Sequence, residues 1–290
     1  MKRWFITGGE WLYYKIYSGY DTADRILADI IGPLSHMFIE NKSIDNWFFI
    51  RYADPHPHIR WRLHFSDLSK IGDVTGTIEN ALIPLVDTKQ INRVQTDTYK
   101  REIERYGMKT MEYCEQMFGY DSQMISNMLT VISGYENAEQ YRWMFSIMAI
   151  DTLLSDFGYS LDDRHSLLKS LADNFGKEFN INEFTIKQFS RKYRDNKDSI
   201  QLFMKKDDSY DSNLYQMIYD KSHKSRNTIM RILELTENRQ DLDSLMGSLI
   251  HMTMNRIFVA QQRKHEVVVY GFMERFYRSE VAKNKYVKNK

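Results

Sequence analysis

Cysteine is almost missing from this chain: Cys114 is the only one in 290 residues. Within one chain that excludes a disulfide framework and a zinc cluster of the CxxC type, and it fits a reducing, cytoplasmic setting. Proline is nearly as scarce, with four residues, and two of these, Pro55 and Pro57, share one short segment. No window approaches the ~20 apolar residues of a membrane-spanning helix, and residues 1–10 lack the apolar run of a signal peptide. Charge of one sign is not in excess, since 40 Lys and Arg face 39 Asp and Glu. Duplex nucleic-acid binders usually carry a basic surplus, so a nucleic-acid partner is disfavoured. The sequence also has no Gly-rich phosphate loop, no HExxH, no nucleophile elbow and no carboxylate cluster with metal-ligand spacing. Neither a metal nor an organic cofactor is expected.

What the chain does have is rings: 19 Tyr, 16 Phe and 5 Trp. They imply either a core of large side chains or a groove for an extended ligand such as a peptide. The length suits one large domain over residues 1–290. Residues 1–106 read as strand-rich, 107–282 as mainly helical, and 283–290 as a basic, frayed tail. Strands are expected at 11–17, 47–52 and 91–98. A helix at 21–38 is expected to kink or divide at Gly32-Pro33, and one at 75–83 to end at Pro84. Further helices are expected at 109–118, 122–132, 136–157, 163–174, 183–193, 226–236, 241–259 and 264–281. The polar stretch 207–224 reads as a loop, or as a helix around 214–219. The fold class is therefore α+β (mixed α/β): an N-terminal strand-rich sheet with helices packed on it, and a helical C-terminal half.

Four segments could contribute to one site, the last of them weaker than the rest. The run from His58 to Phe65 alternates polar and apolar residues, as in a half-buried strand that hairpins with 47–52 across Asp54-Pro55-His56-Pro57. His58, Arg60, Arg62 and His64 would share one face with no acid among them, so an acid or an anionic ligand should lie against them. In the second segment, residues 98–107, a helix would put Arg101 and Arg105 on one face, whereas a continued strand would align Tyr99, Arg101 and Arg105. Both geometries stay open. In the third, a helix places His251 and Asn255 one turn apart. His251 sits among Leu249, Ile250, Met252 and Met254, as either a hydrogen-bonded core residue or a base kept neutral by burial. Residues 118–122 read as a turn followed by a helix N-cap.

Together, the motifs at 45–52, 54–62, 99–107 and His251-Met252 with Asn255-Arg256, in this order, resemble the C-terminal domain of lantibiotic dehydratases. Their stand-alone relatives in thiopeptide biosynthesis belong to the same family. One departure is Met108, where the family often has a second glycine after the Arg-Tyr-Gly triplet. The resemblance implies an enzyme of ribosomal-peptide maturation, a lyase that eliminates glutamate from glutamylated Ser or Thr to leave dehydroalanine or dehydrobutyrine. It implies His251 as acid/base, and Arg60 and Arg62 with Arg101 or Arg105 as the grip on the departing glutamate. Arg51, His58, Tyr99 and Asn255 would contact substrate. The expected partners are a precursor peptide of leader and core and a separate glutamylating component, for which this chain has no room. The family commonly dimerises. The same resemblance leaves open a pyridine-forming [4+2] cyclase and a non-catalytic leader-binding scaffold.

Overall fold

A computed structural model describes residues 1–179, 183–204 and 212–288. Its sheet is antiparallel, in the order β3-β4-β2-β5, from β2 (Trp11–Ser18), β3 (Asn46–Ala53), β4 (Pro57–His64) and β5 (Ile91–Thr96). Side chains alternate across a strand, so the polar and apolar sets of β4 separate completely. Arg62 lies opposite Tyr13 and Phe48, Arg60 opposite Lys15, and His58 opposite Tyr17 and Tyr52. The reverse face carries Leu12, Ile16, Trp47, Phe49, Ile59, Trp61 and Leu63, all buried.

Helices cover that apolar face. The first is α1 (Tyr20–Ile26), which continues through a π-helical turn, Leu27–Ile31, into α2 (Gly32–Glu40). The helical path does not stop at Gly32-Pro33, but the expected division falls there, where the π turn ends and α2 begins. The wider π turn absorbs the missing proline N–H, and Pro33 sits in the first turn of α2, where no donor is needed. Ser35 on α2 accepts from the indole of Trp61. Next come α3 (Ile71–Asp87), a small sheet of β1 (Trp4–Phe5) with β6 (Tyr99–Lys100), and α4 (Ile103–Tyr106). Pro84 lies inside α3, not at its end. The stripe of Val74, Ile78 and Leu82 buries the helix, which tolerates one lost hydrogen bond near its C-terminus.

The helical half runs α5 (Met111–Ile132), α6 (Ala138–Asp156), α7 (Leu161–Glu178), α8 (Glu183–Asp195), α9 (Lys197–Met204), α10 (Ser212–Leu235), α11 (Arg239–Ile257) and α12 (Gln262–Lys288). Two expectations are corrected here, and one left open is decided. The helices at 109–118 and 122–132 are one helix, and 118–122 is no turn. Gly119 is in mid-helix because α5 presses on β3: a Cβ there would lie 2.2 Å from Asn46 Oδ1 and 3.1 Å from Trp47 O. The residues 212–224 of the ambiguous polar stretch are helical, while 207–211 fall outside the described residues. The basic tail also stays helical through Lys288, with Lys283 paired to Glu280.

One continuous set of buried side chains, from Phe5 to Tyr277, joins sheet and helices. Strand β3 is a sheet edge, yet its outward backbone groups are taken by side chains. Ser122 accepts from Phe49 N, Arg256 Nε donates to Phe49 O, and Asn255 both accepts from Arg51 N and donates to Arg51 O. Helices α5 and α11 thus act as the missing neighbour of an exposed strand. No helix among the described residues is long and apolar enough to cross a membrane.

Candidate active site

A cleft of about 610 Å³ opens between α4, α7, α11 and the start of α12, and Arg105, Ser248, His251, Arg263 and Tyr270 are among its walls. His251 points its ring from α11 towards α12. Its Nδ1 lies 2.7 Å from Glu266 Oε1. Glu266 is wholly buried and also accepts from Tyr270 Oη (3.3 Å), Gln262 Nε2 (3.3 Å) and Arg263 Nη1 (3.4 Å). A carboxylate acceptor at that distance fixes the proton on Nδ1, leaving the Nε2 lone pair free. Burial, reinforced by Glu266, pushes the Tyr270 hydroxyl well above its usual pKa of 10, so Tyr270 stays a donor. The Gln262 amide donates to His251 O (3.0 Å) and accepts from Asn255 Nδ2 (2.8 Å). The dyad is thereby tied to the residue that closes the edge of β3. His251 is no core residue: a quarter of its side chain (24 %) is exposed.

Arg105 faces the same cleft from α4. Gly107 ends that single turn at φ +78°, where its missing Cβ costs nothing. The Arg105 guanidinium donates from Nε to Ser248 Oγ (3.1 Å), and its only ion pair among the described residues is a loose 3.7 Å contact to Glu102. It is 36 % exposed, and so available to an anion.

Arg101 is different, and this resolves the two geometries left open for 98–107. Tyr99 belongs to β6 and Arg105 to the separate turn α4, so Arg101 and Arg105 share no face. Arg101 is buried and held in a fork by Glu115 (2.8 and 2.7 Å), with Glu112 at 3.1 Å. Tyr99 donates to the same Glu115 (2.7 Å).

The row on β4 exists, and the charges of Asp54, Asp97 and Glu102 reach His58, Arg60 and Arg62 from nearby. Among the described residues, only His64 of the row is ion-paired, to Asp45 at 3.0 Å. The Arg62 guanidinium is instead enclosed by the rings of Tyr13 (4.4 Å), Tyr99 (4.7 Å) and Phe48 (5.1 Å). Arg60 lies 3.5 Å over Tyr52 and donates to His58 Nε2, while His58 Nδ1 donates to His56 O (2.9 Å). Ring faces supply the negative potential that was assigned to a carboxylate. Neither Arg60 nor Arg62 lines the His251 cleft, so the single pocket expected for all three is corrected: Arg105 meets His251 there, with Arg263 beside it. The two regions approach at Glu102, whose charge reaches both Arg62 and Arg105. Arg51 is on the opposite face of the sheet, buried, bonded to Asp24 Oδ1 (2.5 Å) and Arg256 O (2.9 Å).

Sequence reasoning missed Glu266, Tyr270 and Arg263, which reach His251 from another helix. Arg256, named in the sequence motif with Asn255 but given no role there, is buried and paired with Asp121 at 2.9 Å.

The fold is a helix-flanked antiparallel sheet, and its cleft brings an imidazole bonded to a buried carboxylate beside a partly exposed guanidinium. Among solved structures, the chain is similar to the tRNA-dependent lantibiotic dehydratase MibB from Microbispora sp. 107891 (TM-score 0.73, 20 % identity, 93 % of this chain, 28 % of that one). It is also similar to the pyridine synthase TbtD from thiomuracin biosynthesis (TM-score 0.64, 11 % identity, 94 % of this chain, 98 % of that one). Among curated proteins it matches the nisin biosynthesis protein NisB of Lactococcus lactis subsp. lactis, with 27 % identity over 280 residues. It matches the subtilin biosynthesis protein SpaB of Bacillus subtilis with 24 % identity over 254 residues. The chain spans about a quarter of the length of these relatives (26 % and 24 %). Residues 11–277 match the family described as lantibiotic biosynthesis dehydratase, C-terminal, and the chain belongs to that family.

Proposed function

We propose that this chain is a lyase of peptide maturation, removing glutamate from glutamylated Ser or Thr of a precursor peptide to leave dehydroalanine or dehydrobutyrine. The observation that carries this reading is the pairing, in one cleft, of an oriented imidazole with a largely unneutralised guanidinium. His251 Nε2 takes the Cα proton, and the C–H electrons form the Cα=Cβ bond. The Cβ–O bond breaks, and glutamate departs as a carboxylate onto Arg105. Glu266 stabilises the imidazolium that forms, as a buried carboxylate does in a catalytic triad. A preorganised donor such as Arg105 typically lowers a barrier by about 3–4 kcal/mol.

The other arginines act around this pair. Arg60, on the partly open sheet face with Lys15, meets the incoming peptide, and Arg62 holds the Tyr13, Phe48 and Tyr99 rings that shape the approach. His58 and Tyr99 belong to the same wall. Arg51 and Asn255 position the dyad, through Gln262, without touching substrate, and Arg101 fixes β6 to α5. A separate glutamylating component supplies the substrate, in the cytoplasm where charged tRNA is made.

Incubating the protein with a glutamylated peptide and following glutamate loss by mass spectrometry tests this reading, and unchanged peptide rejects it. The cyclase reading draws on the full-length similarity to the pyridine synthase. A linear peptide already holding two dehydroalanines distinguishes it, because only a cyclase returns a ring.

A further inference from the structure

A cavity of about 770 Å³ lies away from the His251 cleft and shares no wall residue with it. It opens between α2, α5, α10 and the ends of β2–β4. Its walls include Trp11, Trp47, Ile39, Met124 and Met217. The acids that line it are engaged: Glu115 and Glu112 by Arg101, Asp45 by His64 and Asp220 by Gln216. The cations from α10 are not. Lys221 is 6 % exposed, yet its ammonium makes no hydrogen bond or ion pair among the described residues. Asp121 and Asp156 attract it from further away, but Asp121 is held by Arg256 and Thr253, and Asp156 is bonded by Ser222. Lys224, one turn along, is exposed and also unpaired among the described residues. Trp11 Nε1–H, also in this wall, is buried without an acceptor among the described residues. A buried donor without a partner, such as this indole, is rare in folded proteins and asks for an explanation.

We propose that this cavity is a second binding site, for carboxylate side chains carried on an apolar segment of the peptide substrate outside the residue being modified. Lys221 and Lys224 would pair with the carboxylates, Trp11 would donate to one of them, and the tryptophan and methionine walls would take the apolar side chains. The volume sits in the range of sites that enclose ligands much larger than one amino acid, roughly 300–1,000 Å³, which favours a peptide segment over free glutamate. The assignment rests on the reading of the substrate as a peptide.

Isothermal titration calorimetry on the intact protein tests it, with acetyl-Leu-Glu-Ile-Asp-amide, its Gln/Asn counterpart and sodium L-glutamate as probes. The acidic peptide binds, and the amide counterpart binds at least roughly tenfold more weakly, as loss of charge-assisted bonds requires. Lys221→Met and Lys224→Met each weaken the acidic peptide by a similar factor, with circular dichroism melts showing that both variants fold. Free glutamate does not displace the peptide. Equal binding of the two peptides, unchanged affinity in both folded variants, or displacement by glutamate overturns the assignment. Lys221→Met still releases glutamate at the wild-type rate from a short glutamylated peptide without acidic residues. If instead no form of the protein releases glutamate, the lyase reading fails while the calorimetry continues to judge the cavity.

Discussion

At the residue scale, the two halves of the proposed chemistry can be separated by substitution. Arg105→Ala removes the anion clamp together with its bond to Ser248, so turnover of glutamylated peptide should fall by about 10²–10³-fold, with intact glutamyl ester accumulating in the mass spectrum. Glu266→Gln keeps shape but replaces the acceptor that holds the His251 tautomer. A drop of roughly 10²–10⁴-fold is expected in single-turnover assays, as for the orienting carboxylate of a triad. Arg62→Met should behave differently. Three rings enclose that guanidinium, and its loss should be seen in melting temperature before it is seen in rate. Candidate arginines were visible in the sequence because charge on a strand of strict period two is conspicuous. Which of them stands next to His251 was not, since Arg105 reaches it across a distance of more than a hundred residues through folding of α4 against α11. Glu266 left no trace of its own, because an acid on one helix meeting a histidine on another makes no pattern in one dimension.

At the scale of elements, close approach explains both a success and a miss. The hairpin of β3 and β4 was readable from alternation alone, since one face must be buried. In one dimension Gly119 marks a turn that splits helix α5 in two, whereas in the fold its lack of a side chain is what lets the helix lie on β3. Gly119→Ala should therefore destabilise the fold by about 1–3 kcal/mol, measured as a lower urea midpoint, because the added methyl meets Asn46 and the Trp47 carbonyl. The same reasoning covers the π turn before α2: propensity marks Pro33 as a breaker, and tertiary packing keeps the helix running.

At the scale of the whole molecule, Asp24 is a junction. It bonds both Arg51 of β3 and Arg142 of α6, and Arg142 also donates to the carbonyl of Ile257 at the end of α11. Asp24→Ala takes the shared carboxylate from two buried guanidinium groups, leaving Arg142 with Glu139, and about 3–5 kcal/mol of stability should be lost in denaturant titration. Acid should act in the same direction through histidine. Burial, helped by Arg60 and Lys15, holds His58 below its ordinary pKa of 6.5, and burial does the same to His265. The native state then binds fewer protons than the unfolded chain, so the stability these residues contribute is complete above pH 6.5 and is lost as the pH falls through their folded values. Urea midpoints at pH 7.5 and 5.5 should differ in that sense, and less so in His58→Gln. The side chains of Ser122, Asn255 and Arg256 have a last consequence here. With one rim of the sheet plugged, a visiting extended chain could lengthen it only alongside β5, so any strand-by-strand association of this protein must be one-sided.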